Sequence, residues 1–395
     1  MKLRRHFPFL LDVFKLACTA FGGPQAHITM MLNQFAYKKH YISEQDLLEL
    51  FAFCGILPGP TSTQTITAIG FKRGRLPLAI LTLIVWILPA ALVMTALVVA
   101  MTLFVRTNLS LGFLKFIQPM AIGFISFSAW RMSKSVITTG NSIIILALAT
   151  LTSLFAPSVW TFPSIIIASV IIANFRHDDL PPYKFKFKLK WGNLVVFLGI
   201  FVVMAVLGGL LRPYGDKAFR PFVLFENFYR FGALVFVGGN LLIPLMYQQF
   251  VVHLPYITAQ EFLTGVGFQQ ALPGPVFSIA IYTGGMTMKL LGLKYQLLGC
   301  LIAAIAIFTP GTLLMLFLYP FWDHLRNYPF IKRALAGINA ASIGMVLTTA
   351  IVLFKGIDAG YMNLSVILLT FILLSFEKIT PPVIVALALF AGWLL

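Results

Sequence analysis

The chain has 395 residues, of which 59% are hydrophobic and only 10% are charged, and its formal net charge is +17. A soluble protein of this length could not bury so much apolar surface, and no hydrophilic stretch is long enough to form a separate soluble domain. The lysines and arginines lie in short loops between apolar runs, which is typical of topology determinants in a bilayer protein and argues against nucleic acid as a partner.

Apolar runs of about 17 to 25 residues recur along the chain, and each can cross a hydrocarbon core of roughly 30 Å. The sequence therefore predicts an all-α polytopic membrane protein with about 13 transmembrane segments. In chain order these are 7–37, 44–71, 77–105, 111–130, 140–156, 159–175, 193–211, 222–250, 258–288, 295–319, 334–354, 362–376 and 381–395. If the N-terminus is cytoplasmic, the loops on the inner side carry most of the lysines and arginines, which favours this orientation.

Two motifs interrupt these segments, and each occurs twice. Pro58-Gly59-Pro60 and Pro273-Gly274-Pro275 each follow a glycine pair, Gly22-Gly23 and Gly238-Gly239. Proline lacks an amide hydrogen and glycine tolerates positive φ, so Pro-Gly-Pro ends one helix and starts another. Matched breaks of this kind are typical of transporters whose binding site is built from half-helices.

The number of residues between Pro58 and Pro273 is here called the repeat offset. The same offset separates similar residues around the two motifs, such as Gln34-Phe35 and Gln249-Phe250. After a short insertion in the second half, Pro89 aligns with Pro310. The sequence predicts two homologous halves, residues 1–180 and 212–395. Residues 181–211 would form a basic linker and a connecting helix, and the Lys-rich run from Tyr183 to Lys190 would lie against anionic lipid.

The orientation of the two halves depends on how the Pro-Gly-Pro segments are counted. Seven crossings separate the starts of the two halves if each segment is a crossing helix with a break, and the halves are then inverted. If each segment is a re-entrant hairpin, six crossings separate them and the halves are parallel. The charge distribution favours crossing helices.

The motif Phe21-Gly22-Gly23-Pro24-Gln25-Ala26-His27-Ile28, followed by Leu57-Pro58-Gly59-Pro60 and Ile87-Leu88-Pro89, resembles the chromate ion transporter family in its long two-domain form. The second half agrees at Val237-Gly238-Gly239, Pro244, Glu261-Phe262 and Leu272-Pro273-Gly274-Pro275. The resemblance implies a secondary transporter of the cell inner membrane that exports chromate, with sulfate as the related oxyanion. Many members carry asparagine and glutamate where this chain has Thr61 and Gln64.

A tetrahedral dianion needs hydrogen-bond donors and positive potential, and the N-terminus of a half-helix supplies both. Helices that begin at Pro24, Pro60 and Pro275 offer such ends, and hydroxyls follow in the first turn. The alternative is that the breaks only kink packed helices. The candidate substrate-binding residues are Gly22, Gly23, Pro24, His27, Pro58, Gly59, Pro60, Thr61, Ser62, Thr63, Gly238, Gly239, Asn240, Pro273, Gly274, Pro275, Ser278, Lys15 and Arg230.

The cations Lys15 and Arg230 lie inside apolar segments and are related by the repeat offset. A buried cation in a membrane is costly, so each should face a cavity, a ligand or a partner. The alternative to a ligand role is a structural ion pair, with Asp12 for Lys15 and with Glu226 for Arg230.

Energy coupling requires a group that takes up and releases a proton. Asp46 and Glu261 are related by the repeat and begin broken helices, where a carboxylate stabilises the N-terminal end. Glu49 lies one turn further in and is a better proton carrier in the first half. His27 could titrate, donate to the anion, or only make a hydrogen bond within packed helices.

The residues predict a secondary transporter, and the resemblance to the chromate ion transporter family implies chromate or sulfate as its substrate, with the proton motive force as the expected energy source. No cofactor or metal is expected, and a homodimer is one arrangement left open. A membrane enzyme acting on a lipid phosphate is the first competing interpretation, because such enzymes also use repeated broken helices. A passive anion channel is the second.

Overall fold

A computed structural model of the chain describes residues 3–106, 112–136, 139–156, 161–175, 192–211, 216–235, 241–321, 329–357, 360–376 and 379–394. The α-helices in these ranges are α1 (Phe7–Ala17), α2 (Gly23–Met31), α3 (Glu44–Ile56), α4 (Thr61–Arg106), α5 (Ile117–Val136), α6 (Gly140–Phe155), α7 (Thr161–Asn174), α8 (Gly192–Leu211), α9 (Asp216–Leu234), α10 (Leu242–Tyr247), α11 (Ala259–Ala271), α12 (Ile279–Thr287), α13 (Leu293–Leu318), α14 (Pro329–Lys355), α15 (Tyr361–Ser375) and α16 (Pro381–Leu394). The π-helical turns Leu32–Lys38 and Gln248–His253 extend α2 and α10. The predicted lipid-facing run from Tyr183 to Lys190 lies outside the described residues.

Several helices have the length and composition needed to cross a membrane. Four apolar stretches of at least 18 residues meet both criteria in the described ranges: Thr61–Phe104, Gly112–Lys134, Leu293–Leu318 and Arg333–Lys355. Six shorter apolar helices of 10 to 17 residues accompany them. The fold is therefore that of an all-helical polytopic membrane protein.

The chain reverses direction at Pro58-Gly59-Pro60. Lys72 Nζ lies 2.7 Å from Asp46 Oδ1, and Arg73 Nη1 donates to the Tyr41 carbonyl oxygen at 2.8 Å. Residues at the start of α3 thus contact residues at the end of the arm 61–73, and the two helices form a re-entrant hairpin, here called hairpin B. Helix α3 has 13 residues, and the arm 61–73 is equally long. Each therefore extends about 20 Å, which is too short to cross the hydrocarbon core.

The second Pro-Gly-Pro motif makes the equivalent hairpin D from α11 and α12. The Tyr282 hydroxyl donates to the Glu261 carbonyl oxygen at 3.0 Å, and Lys289 Nζ lies 2.6 Å from Glu261 Oε2. The favoured interpretation of each Pro-Gly-Pro segment as one crossing helix is therefore wrong. Both segments are re-entrant hairpins, as in the alternative interpretation. The sequence leaves this choice open because Pro-Gly-Pro ends a helix without setting the direction of the next one.

The glycine break at Gly22-Gly23 is a hairpin tip as well. In hairpin A, formed by α1 and α2, the rings of Phe9 and Phe35 lie 5.9 Å apart, and the Tyr41 hydroxyl donates to Asp12 Oδ2 at 2.7 Å. Gly22 at its tip has φ +91°. Hairpin C, formed by α9 and α10, brings the rings of Phe228 and Phe250 to 5.1 Å.

A further reversal follows each Pro-Gly-Pro hairpin. Gly74 (φ −150°) and Arg75 (φ +56°) interrupt α4 and divide it into the arms 61–73 and 76–106. The two arms pack so closely that a Cβ at Gly70 would meet the side chain of Thr82. Gly292 (φ +96°) makes the corresponding turn between α12 and α13.

The hairpins meet through two reciprocal backbone hydrogen bonds. The Gly59 N–H in hairpin B donates to the Val235 carbonyl oxygen in hairpin C at 2.6 Å, and the Gly274 N–H in hairpin D donates to the Ala20 carbonyl oxygen in hairpin A at 2.8 Å. The repeat offset separates the two donors and also the two acceptors. The contact is therefore isologous: each half offers the same donor and the same acceptor to the other.

The helices outside the hairpins are also exchanged between the halves. Gly123 on α5 packs against Ile367 and Thr370 on α15, and Gly344 on α14 packs against Leu146 and Ala149 on α6. Gly344 follows Gly123 by the same number of residues that separates Pro310 from Pro89. The two contacts are therefore equivalent positions of the two halves, beyond the insertion. The two halves thus interlock rather than packing as separate units.

Buried apolar side chains form two clusters. One lies inside hairpins A and B and the adjoining part of α4, and it includes Phe9, Phe35, Phe53 and Trp86. The other extends through both halves. The hairpin tips lie where the two halves meet. The helix ends at these tips are therefore surrounded by buried side chains.

The hairpin structure predicts that Asp46 and Lys72 lie on the same side of the membrane. With Cys18, Cys54 and Cys300 replaced, Asp46→Cys and Lys72→Cys should react with a membrane-impermeant thiol reagent from the same face of oriented vesicles. Arg106→Cys, at the far end of the arm 76–106, should react from the opposite face. Labelling of Asp46→Cys and Lys72→Cys from opposite faces would mean that the segment crosses the membrane.

The glycines at the tips should be sensitive to a single methyl group. Gly59 has φ +115°, and a Cβ there would lie 3.2 Å from the Cα atom of Gly311. Gly59→Ala should lower the free energy of unfolding by at least about 2 kcal/mol, because a left-handed backbone and a crowded contact act together.

Gly23→Ala is the matched control for this substitution. Gly23 has φ +77°, but a Cβ there would have nothing within 4 Å, so only about 1 kcal/mol of backbone strain is expected. Thermal unfolding in detergent compares the two variants. Equal melting temperatures would contradict the close approach of Gly59 to Gly311.

Candidate functional site

The tip of hairpin B is the more polar of the two Pro-Gly-Pro tips. The Gln64 N–H donates to the Pro60 carbonyl oxygen at 2.9 Å, and this is the first backbone hydrogen bond of the arm 61–73. The N–H groups of Thr61, Ser62 and Thr63 precede it and have no carbonyl oxygen one turn earlier in this arm. The tip therefore combines three backbone donors, three hydroxyls and the positive end of a helix dipole.

His27 connects hairpin A to this tip. Its ring is 1% exposed, its Nδ1 atom lies 3.0 Å from Ser62 Oγ, and its Nε2 atom lies 3.0 Å from the Ala20 carbonyl oxygen. The Trp86 ring packs nearly perpendicular to the His27 ring, with a centroid distance of 5.5 Å. Trp86 Nε1 in turn donates to Thr63 Oγ1 at 3.1 Å. The predicted candidates His27, Ser62 and Thr63 are thus brought together.

Gln64 links the two halves at the same place. Its Nε2 group donates to the Pro58 carbonyl oxygen at 2.7 Å and to the Gly311 carbonyl oxygen of α13 at 3.0 Å. The residue is 1% exposed, and its Oε1 atom is buried without a partner. A buried acceptor without a donor is costly, so this atom is available to a ligand or a water molecule.

The structure adds Gln64 and Trp86 to the site predicted from sequence. The only sequence signal at Gln64 is that it replaces a glutamate common in the family that the chain resembles. Trp86 gave no signal, because an aromatic residue in an apolar helix is ordinarily part of the core.

The tip of hairpin D offers fewer donors. The Ser278 Oγ atom lies 2.7 Å from Gln269 Oε1 and 2.8 Å from the Pro275 carbonyl oxygen, and both of these oxygens are acceptors, so its single hydrogen is used within the hairpin. Val276 and Phe277 occupy the positions that correspond to Thr61 and Ser62. The two tips therefore share their backbone structure but differ in chemistry.

The two predicted cations do not lie at the hairpin tips. Lys15 precedes Ala20, and Arg230 precedes Val235, by more than one helical turn. Lys15 is exposed on α1 and forms no ion pair with the described residues. Asp12, its predicted partner, instead accepts a hydrogen bond from the Tyr41 hydroxyl and lies 3.6 Å from Lys39 Nζ. Burial and the hydrogen bond to Asp12 raise the pKa of Tyr41 to about 12, so this hydroxyl stays a donor.

Arg230 has the ion pair that the sequence offered as an alternative. Its Nε atom lies 3.3 Å from Glu226 Oε1, and its Nη2 group donates to Asn227 Oδ1 at 2.6 Å. Arg230 also borders a small cavity with Gln248 and His253. Its guanidinium group is therefore held on α9 rather than at a hairpin tip.

The carboxylates predicted for energy coupling lie at the open ends of the hairpins. Ser43 caps α3 by accepting from the Asp46 N–H, and Asp46 pairs with Lys72. Glu261 forms a capping box with Thr258 and pairs with Lys289. Both carboxylates therefore lie in the first turn of their helices, where the helix-capping interpretation expects them.

Two other groups of predicted residues have different outcomes. Glu49 accepts a hydrogen bond from Gln45 Nε2 at 3.1 Å on the surface of α3, away from the tip. Gly238, Gly239 and Asn240 lie outside the described residues. The remaining Gly and Pro candidates form the backbone of the three described tips.

Comparison with known proteins covers both halves. Residues 7–174 and 222–393 match the family model described as Chromate transporter. A chromate transport protein of Cupriavidus metallidurans is 26% identical over 388 residues, which span 96% of this chain and 90% of that protein. A probable chromate transport protein of Synechococcus elongatus is 25% identical, over 96% of this chain and 92% of its own length.

Further relatives include an uncharacterized transporter of Methanocaldococcus jannaschii, which is 23% identical over 99% of this chain and 96% of its own length. No solved structure matches the chain. Because the family model covers most of the chain and matches it once in each half, this membrane protein belongs to the chromate transporter family.

Proposed function

We propose that the protein is a secondary carrier that exports chromate, or the related dianion sulfate, across the cell inner membrane by using the proton motive force. Membership of the chromate transporter family and the names of the relatives support the substrate class. The observation that carries the proposal is the buried tip of hairpin B, where the N-terminus of a helix, the hydroxyls of Thr61 to Thr63 and His27 converge.

The substrate would bind at this tip. The three amides that precede the first helical hydrogen bond and the helix dipole favour a negative charge, and the hydroxyls provide short-range donors. The primary site would consist of Gly59, Pro60, Thr61, Ser62 and Thr63. Lys15 and Arg230 would raise the local potential without direct contact, since Arg230 already has an ion-pair partner.

Transport would require the tips to separate. His27, Ser62 and Thr63 are each at most 3% exposed, so an ion from solution cannot reach them in this state. Breaking the hydrogen bonds from Gly59 to Val235 and from Gly274 to Ala20 would open the site. Movement of one half against the other would do this alternately on each side, which is how a carrier differs from a channel.

The hairpins support an inverted arrangement of residues 1–180 and 212–395. If hairpins A and B both return to their starting side, five crossings separate the halves: the arm 76–106 and helices α5 to α8. An odd number inverts the second half. Lys38 and Lys39 then join Lys72 and Arg73 on the cytoplasmic side, which strengthens the charge bias and supports a cytoplasmic N-terminus.

Purified protein in proteoliposomes should move chromate saturably, with a rate that depends on an imposed pH gradient and falls when sulfate is added. Liposomes without protein provide the baseline. Flux that does not saturate and ignores the gradient would identify a channel. Hydrolysis of a polyprenyl pyrophosphate without ion movement would identify an enzyme.

The chemical difference between the two tips predicts that the same change, serine to alanine, has unequal effects at Ser62 and at Ser278, the serine of the other tip. Ser62→Ala should lower the initial chromate flux at subsaturating concentration by at least about tenfold, because a hydrogen bond to a charged group contributes about 1.5 to 3 kcal/mol. Ser278→Ala should lower it by less than about threefold, because that hydroxyl is used within hairpin D. Equal losses, or none for Ser62→Ala, would move the site away from hairpin B.

A further inference from the structure

The hydrogen bonds of His27 determine which ring nitrogen carries its hydrogen. Nε2 lies 3.0 Å from the Ala20 carbonyl oxygen, and a carbonyl oxygen can only accept, so Nε2 must be the protonated nitrogen. In the neutral ring Nδ1 then has no hydrogen. It accepts the hydroxyl hydrogen of Ser62, whose Oγ atom lies 3.0 Å away.

This arrangement makes the Ser62 hydroxyl unavailable to an anion while His27 is neutral. A serine hydroxyl has one hydrogen, and here Nδ1 takes it. If a proton binds to Nδ1, the ring becomes a donor at both nitrogens and Ser62 Oγ becomes its acceptor. The hydroxyl hydrogen is then free to turn towards an oxyanion at the amides of Thr61 to Thr63, and the new positive charge lies one hydrogen bond away from that hydroxyl.

We propose that His27 is the proton-coupling residue of this carrier: a proton on Nδ1 and an oxyanion on the Ser62 hydroxyl occupy the same closed site, and each favours the binding of the other. The proposal rests on the proposed transport function and names its coupling group. The proton comes from water on the side of loading and leaves with the anion on the side of release, so no covalent bond changes. Dianion and proton together carry one net negative charge, so the inside-negative membrane potential, the electrical part of the proton motive force, drives their export.

Few other charged groups surround His27. Its own helix α2 carries none, and the second-half tip at 271–279 carries none. On hairpin B, Lys72 and Arg73 are about ten residues from Ser62, which corresponds to roughly 15 Å of helix, and both are engaged at the open end. On α1, Lys15 is the nearest cation in sequence to Ala20, and on α4 Arg75 lies at the second reversal.

The same carbonyl group also connects His27 to the contact between the halves. The Ala20 carbonyl oxygen accepts from His27 Nε2 and from the Gly274 N–H of hairpin D. A change in the position of the ring is therefore transmitted directly to one of the two hydrogen bonds that close the tips. Asp46 and Glu261 have no such connection, because each is paired at the open end of its hairpin.

Binding of radiolabelled sulfate to the purified protein between about pH 5.5 and about pH 8.5 tests this proposal. Sulfate remains a dianion over this range, so any pH dependence belongs to the protein. Wild-type affinity should fall about tenfold per pH unit once His27 is neutral, because one proton is linked to each anion. His27→Gln imitates the neutral ring, donating to Ala20 and accepting from Ser62, and should bind weakly with no pH dependence.

Two further variants make the result specific. His40→Asn changes an exposed histidine with φ +49°, a conformation that asparagine tolerates, and should keep the wild-type pH dependence. Ser62→Ala should lose the pH dependence together with the affinity gained at low pH. Thermal unfolding shows that each variant is folded.

The possible outcomes distinguish the coupling role of His27 from the transport function itself. A pH-independent wild type, or a His27→Gln variant that keeps the wild-type slope, would overturn the coupling role and leave the carrier function intact. If the wild type binds chromate but not sulfate, chromate binding is measured for the wild type and for His27→Gln at each pH. The ratio of the two affinities then gives the pH dependence, because the titration of chromate affects both proteins equally and cancels from the ratio. Failure of the wild type to bind either anion would overturn the proposed function as well.

Discussion

Two backbone hydrogen bonds, from Gly59 to Val235 and from Gly274 to Ala20, hold the centre of the structure together. Four hairpins meet at this point, away from bulk water, and an unpaired amide or carbonyl group in such a place costs several kcal/mol. Each half supplies the acceptor that the other half needs. The closed state is therefore stable only while the halves are in contact, and an opened state needs water or substrate to replace the lost partners.

Much of this arrangement could be predicted from the sequence, because it depends on local chemistry. The Pro-Gly-Pro motifs mark tips, the glycine pair that the structure describes adopts positive φ, and the repeat offset relates the two hydrogen bonds. Helix starts such as Thr61 follow directly from proline.

The reversals could not be predicted in the same way, because contacts between distant residues determine them. Asp46 and Lys72 come together only when α3 and the arm 61–73 run side by side. The charge pattern was misleading for a definite reason. Treating two segments of one half as hairpins removes two crossings. An even change leaves every later loop on the same side of the membrane, so the loop charges after residue 75 fit both interpretations.

The binding chemistry was only partly visible for a related reason. Hydroxyls in the first turn after Pro60 are a local feature, and they were found. The pairing of His27 with Ser62 joins two hairpins, and the link from Gln64 to Gly311 joins two halves. Contacts of this kind depend on how the helices pack, which a single sequence does not reveal.

The isologous contact at the tips also bears on how such a chain can arise. Two separate copies of one half could make the same pair of hydrogen bonds, because donor and acceptor are present in each. Two identical copies, however, would have to carry the same side chains at both tips. Gene duplication and fusion remove that requirement. In the fused chain one Pro-Gly-Pro tip has Thr61 and Ser62 while the other has Val276 and Phe277, so a symmetric scaffold carries a polar tip on one side of its axis and an apolar tip on the other.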